Sequence, residues 1–165
     1  MANGQLTTEN DKSLREHLTS LLRGGNAHKS FDDFVRDFPA AACSRKIEGL
    51  PYTAWQVVEH LCIAQWDILE FCRDAKHVSP KWPDGYWPEP DNPGNETLWH
   101  ESVERFQSDL KQMEELVVNP STDLFAKIAH GDGQTILREA LVLADHNAYH
   151  LGALVVMNRI VKTTD

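Results

Sequence analysis

Between Trp99 and Val117 the large apolar residues fall at Trp99, Val103, Phe106, Leu110, Met113 and Val117, in alternating steps of four and three. On a helix of about 3.6 residues per turn that spacing keeps one apolar stripe in register, so the segment is predicted to be a helix buried along one seam against other helices. Three further segments repeat the logic. Thr8 to Arg23 carries Leu14, Leu18, Leu21 and Leu22, with a capping arrangement expected at Thr8 and Asp11 and a stop at Gly24-Gly25. Thr53 to about Ala75 opens on a Thr53/Gln56 capping box and must end before Pro80 and Pro83, and a last helix is predicted from about Thr135 to Val161.

The connections differ in kind. Residues 26–51 are broken by Pro39, Gly49 and Pro51 and leave room for one short helical turn in SFDDFVRDF, where Phe31, Phe34, Val35 and Phe38 share a face. Residues 78–94 are rich in proline and aromatic residues and read as an ordered loop of the sort that covers a site. The stretch TDLFAKIAHGDG reads as an extended connection. With no sustained period-two pattern and no repeat, the expectation is an all-α, antiparallel four-helix bundle with a long crossover between its second and third helices. The 165 residues suit a single domain spanning 1–165.

The net charge of -9 argues against a surface that tracks phosphates, so nucleic acid is an unsuitable partner. Cys43, Cys62 and Cys72 match no metal or redox spacing and read as packing residues in a reducing compartment. No apolar run approaches a membrane span, and the start MANGQLTTENDK lacks the marks of a signal peptide, so a cytoplasmic protein without membrane contact is expected.

The strongest chemical signal is DHNAYHLG, where His146 and His150 lie four residues apart, about 40° around one helix. Both fall within an apolar arc that includes Ile136, Leu143, Ala153, Leu154 and Met157. Imidazoles pointed into a core need partners, which either a metal ion or a hydrogen-bonded network would supply. A third ligand is needed for a metal site. His60, at the edge of the apolar arc of the second helix, is the candidate, and its alternative is a boundary histidine bonded to a carboxylate. Three neutral imidazoles would leave one coordination position open, as in catalytic sites, and suit one divalent ion such as zinc or nickel.

WQVVEHLCIAQWD, followed about 80 residues later by DHNAYHLG, resembles the DinB-like (DinB/YfiT-like) superfamily of metalloenzymes over nearly the whole chain. The resemblance implies that His60, His146 and His150 form a metal-binding triad and that the protein is an antiparallel bundle and a homodimer. It also implies kinship with thiol-dependent S-transferases and isomerases. The function expected is therefore metal-dependent transfer to or from a small-molecule substrate, with a low-molecular-weight thiol as cosubstrate. The alternatives are a metal-dependent hydrolase and a non-catalytic bundle that binds metal or a small ligand. A ferritin-like di-iron site is excluded, since no Glu-x-x-His motif occurs.

Asp67, two turns after His60, and Glu139, two turns before His146, are the weak catalytic candidates, either of them an outer partner or proton acceptor. Both are expected at the rim of the bundle. Glu59 is expected in solvent, Asn147 and Tyr149 in packing or local hydrogen bonds, and His17, His28, His77, His100 and His130 at the surface. Trp82, Tyr86, Trp87 and Trp99 either line a pocket or pin the loop. Trp55, Val58, Cys62, Trp66 and Leu69 make the second helix apolar nearly all round, more than one intramolecular seam requires, which also points to a homodimer.

Overall fold

Every long helix begins where a side chain takes over a backbone N–H that the helix itself leaves unpaired. Thr7, Ser30, Thr53 and Asn95 accept from the backbone of Asn10, Asp33, Gln56 and Leu98, and Thr135 accepts from that of Arg138. The first cap is thus Thr7 rather than the expected Thr8/Asp11 arrangement, whereas Thr53 and Gln56 form the expected reciprocal box. In the computed structural model, which describes residues 7–163, the helices are α1 (Thr8–Arg23), α2 (Phe31–Asp37), α3 (Ala54–Arg73), α4 (Glu96–Val118) and α5 (Ile136–Thr163). Two 3-10 turns, Ala40–Ala42 and Asp84–Tyr86, complete an all-helical structure with no strand among the described residues. The leader reading rests partly on residues 1–6, and the single-domain reading includes these and 164–165; all lie outside the described residues.

α1 stops at Gly24, whose φ of 68° is in the left-handed region, followed by Gly25 at 78°. What was expected as one helical turn near Phe31 is the seven-residue helix α2. It exists because its aromatic face has a dock: Phe31 stacks on Phe106 at 3.8 Å, and Phe38 stacks on Trp99 at 5.0 Å. Trp99 is therefore core, 1% exposed. The same core buries Trp55, Val58 and Cys62, while Leu69 packs in a second cluster with Leu18, Met113 and Leu143. Of the apolar surplus expected to serve a dimer, only Trp66 stays exposed, at 41%.

α3 packs on α4 and α5, and α1 on the same two helices. Gln65 crosses this centre: its Nε2 donates to the Phe106 carbonyl at 2.6 Å, and its Oε1 accepts from Asn147 at 3.0 Å. α5 is long and apolar enough to cross a membrane by length and composition alone, which corrects the expectation that no segment reaches that measure. Here α5 packs against all four other helices.

Arg15 on α1 closes the end of α4. Its guanidinium donates to the carbonyls of Val117, Asn119 and Thr122 at 2.7, 2.9 and 2.8 Å and to Asp11 at 2.8 Å. These carbonyls lie in the last turn of α4 and just beyond its end, where a helix leaves acceptors unpaired. Arg15→Met, which keeps the aliphatic stem, is expected to lower the unfolding free energy by about 3 kcal/mol, the cost of stranding charge-assisted acceptors. A urea unfolding curve measures it, and a loss below about 1 kcal/mol would show that water replaces the guanidinium without penalty.

Candidate metal centre

His60 sits on the face of α3 turned toward α5, and the one-turn spacing of His146 and His150 brings both rings of α5 to meet it. Nε2 of His60 lies 3.1 Å from Nε2 of His146 and 3.1 Å from Nε2 of His150. The three nitrogens all fall within 4.8 Å of one another. His60 Nδ1 is 2.7 Å from the Tyr86 carbonyl oxygen. A carbonyl only accepts, so Nδ1 carries the proton, and the neutral ring turns its Nε2 lone pair toward the other two histidines. Trp87 lies parallel to His60 at 3.9 Å and 3°, and Tyr52 stacks on Trp87 at 3.9 Å and 11°.

Burial pushes His146 and His150 down to about 4, with the neighbouring imidazoles adding to it, and burial lowers His60 as well. All three are therefore neutral at pH 7, the state in which imidazole ligates. The residues fit a metal ion. One lone pair on His60 Nε2 cannot satisfy two nitrogens at 3.1 Å, whereas one cation between them engages all three. The two 3.1 Å spacings from His60 also agree with bonds of about 2.0–2.1 Å, for which ligand nitrogens stand about 3.0 to 3.4 Å apart in octahedral or tetrahedral sites.

The triad lies on the wall of an open cavity of about 650 Å³ that also presents Asp67, Trp82, Tyr86, Trp87, Arg138, Glu139 and Tyr149. A groove of similar volume, about 660 Å³, runs along α1, but its Arg15 is committed to carbonyls and, among the described residues, no cluster of metal-ligand side chains faces it. The candidate ligands face the first cavity.

Several expectations need correction here. Asp67 and Glu139 are not at the rim: they are 7% and 4% exposed. Each is tolerated inside because it is bonded, Asp67 to the Tyr86 hydroxyl at 2.6 Å and to His77 Nε2 at 2.7 Å, Glu139 to Arg138 at 2.6 Å. His77, expected at the surface, is drawn in by that bond, while His17, His28, His100 and His130 are exposed as expected. Glu59 is not solvated either; it accepts from Ser102 at 2.6 Å and from Arg105 between α3 and α4. Asn147 makes its hydrogen bond to Gln65, but Tyr149 is 75% exposed and stands edge-on to His150 instead of packing. Sequence reasoning missed Tyr52 and Arg138. Nothing about either residue type or spacing marks it, because each is placed by the loop or helix packed beside it.

A family model of the DinB superfamily matches residues 26–154, a span that holds α2, α3, α4 and all three histidines. The chain belongs to the DinB superfamily. No curated protein and no solved structure matches it. In this DinB-superfamily chain the triad is assembled from the third and last helices, with a loop backbone as its outer support.

The depressed histidines make stability depend on pH. His146 and His150 titrate near 4 when folded and near 6.5 when unfolded, so between those values the unfolded chain binds more protons. The metal-free DinB-superfamily protein is expected to hold its full histidine contribution above about pH 6.5 and to lose it as pH falls toward 4. Urea midpoints from pH 7 to 4 for wild type and His146→Gln/His150→Gln test this. The double variant should show the flatter profile, and equal slopes would contradict the neutral buried pair.

Proposed function

We propose that the protein is a metal-dependent enzyme, a thiol-dependent S-transferase acting on a small molecule through zinc or nickel held by His60, His146 and His150. The observation that carries this reading is that three neutral imidazole lone pairs meet on the wall of an open cavity of about 650 Å³. Structural sites are closed by protein ligands, whereas catalytic ones keep a side free. A divalent ion there would supply the Lewis acidity that favours the deprotonated form of a thiol or of water.

The remaining tasks fall to side chains. Trp82 and Tyr149 offer exposed aromatic faces against which a small organic substrate can lie. Asp67 has both oxygens occupied, by Tyr86 and His77. Glu139 spends one oxygen on Arg138 and lines the same cavity, which makes it the carboxylate suited to accept a proton from substrate. The reading takes α1, α3, α4 and α5 as an antiparallel four-helix bundle, supported by the packing of α1 and α3 on both α4 and α5. It includes a homodimer, supported by the exposed apolar positions Val142, Tyr149 and Val156, seven residues apart on α5.

Each of His60→Ala, His146→Ala and His150→Ala is expected to lose metal after reloading, and with it turnover of thiols with electrophilic acceptors. Glu139→Gln is expected to keep the metal and lower kcat about 100-fold, the scale of a general base. Elemental analysis and a screen of thiols against electrophiles, with esters and amides in parallel, measure both effects. Full metal content in all three alanine variants would overturn the centre. Turnover of esters or amides alone would move the reading to hydrolysis. Sedimentation should give twice the chain mass of 18.7 kDa, and a monomer at high concentration would remove the dimer.

A further inference from the structure

Gln56, His60 and Asp67 lie on one face of α3, separated by one turn and then by two. All three are bonded to the segment that follows α3. Gln56 Nε2 donates to the carbonyls of Asn92 at 3.0 Å and Pro90 at 3.3 Å. His60 Nδ1 donates to the carbonyl of Tyr86 at 2.7 Å, and Asp67 accepts from the hydroxyl of the same tyrosine at 2.6 Å. His77 Nε2 donates to the other oxygen of Asp67 at 2.7 Å.

Tyr86 is thus held to α3 at two points, by its backbone beside His60 and by its ring tip at Asp67. Beside these bonds the turn is held by the stack of Trp87 between His60 and Tyr52, while Trp82 is exposed and Asp84–Tyr86 is a single 3-10 turn closed by its own backbone bonds. Asp67 itself is about 10 Å along the helix from His60, too far for a direct bond. We propose that Asp67 is a positioning residue for the metal ligand His60, acting through Tyr86: by clamping the phenol it keeps the Tyr86 carbonyl on His60 Nδ1. That contact fixes the tautomer and ring orientation that aim the Nε2 lone pair at His146 and His150. The role of Asp67 is then to aim a ligand, not to take a proton from substrate. Partners one step removed from a metal commonly tune affinity in this way. The inference rests on the metal-centre reading.

The test uses the full chain with cobalt(II) as probe and, separately, the metal-free protein. Tyr86→Phe removes one hydroxyl and keeps both ring and carbonyl, so it isolates the clamp even where Asp67→Ala fails to fold. In metal-free wild type the His60 Nδ1 proton is expected as a protected imidazole NMR resonance at neutral pH; in Tyr86→Phe it should broaden or vanish while helical circular dichroism is unchanged. Cobalt should bind about tenfold more weakly to Tyr86→Phe, with a shifted visible spectrum. The Asp67→Ala/Tyr86→Phe double variant should bind no more weakly than Asp67→Ala alone, since one clamp cannot be lost twice. A role in stability only would lower the melting temperature and leave proton resonance, affinity and spectrum as in wild type, and that result overturns the proposal. Should wild type bind no cobalt, the metal-centre reading falls, and the resonance alone decides whether Asp67 positions His60.

Discussion

Two uncharged imidazoles held within hydrogen-bond distance of a third, partly out of water, are a costly arrangement that needs support from outside the triad. On α5 the support is the helix itself, because one turn of rigid backbone sets His146 against His150. On α3 it is a loop. The Tyr86 carbonyl accepts a hydrogen bond from His60 Nδ1–H, and Trp87 lies flat against the same ring with Tyr52 stacked beyond it. Hydrogen bond and stacked ring restrain different motions of the imidazole, one its rotation and the other its tilt.

The registry between α3 and α5 is set beside the triad by amide chemistry, five residues past His60 on α3 and between the two histidines on α5. Gln65 donates to α4 through the Phe106 carbonyl and accepts from Asn147 on α5. A slip of either helix would leave these amide groups unpaired in the core, at a cost of about 1–3 kcal/mol each. The apolar clusters on either side supply burial without direction, so this amide link is what specifies which residues of α3 and α5 face each other. The histidine triad inherits that registry.

Much of this was legible in the chain. Long helices, their caps and the DHNAYHLG pair depend on spacing within one segment, and His60 came from its place at an apolar edge together with the family resemblance. What was not legible depends on segments meeting in space. Asp67, Glu139 and His77 carry the residue types of exposed surface, and they are inside because of Tyr86, Arg138 and one another. Trp99 shares its residue type with Trp82 and Trp87, yet α2 covers it while the other two face the cavity. A bond from a side chain to a loop carbonyl, such as that of His60, leaves no mark in a sequence because every residue has the acceptor.

The same packing divides labour between the two buried carboxylates. On Asp67 a hydroxyl and an imidazole N–H consume both oxygens, so the charge is dispersed into two donors and the group acts as a fixed post for the loop. On Glu139 a single partly exposed guanidinium engages one oxygen at the edge of the cavity. Moving Arg138 aside would leave that buried carboxylate without its bonded partner, so an incoming substrate would have to supply a donor in its place. Releasing Asp67 would require two donors to lose their acceptor together and would free the loop that holds His60. A group that must exchange protons during turnover belongs at the first kind of position, and a group that must hold still belongs at the second.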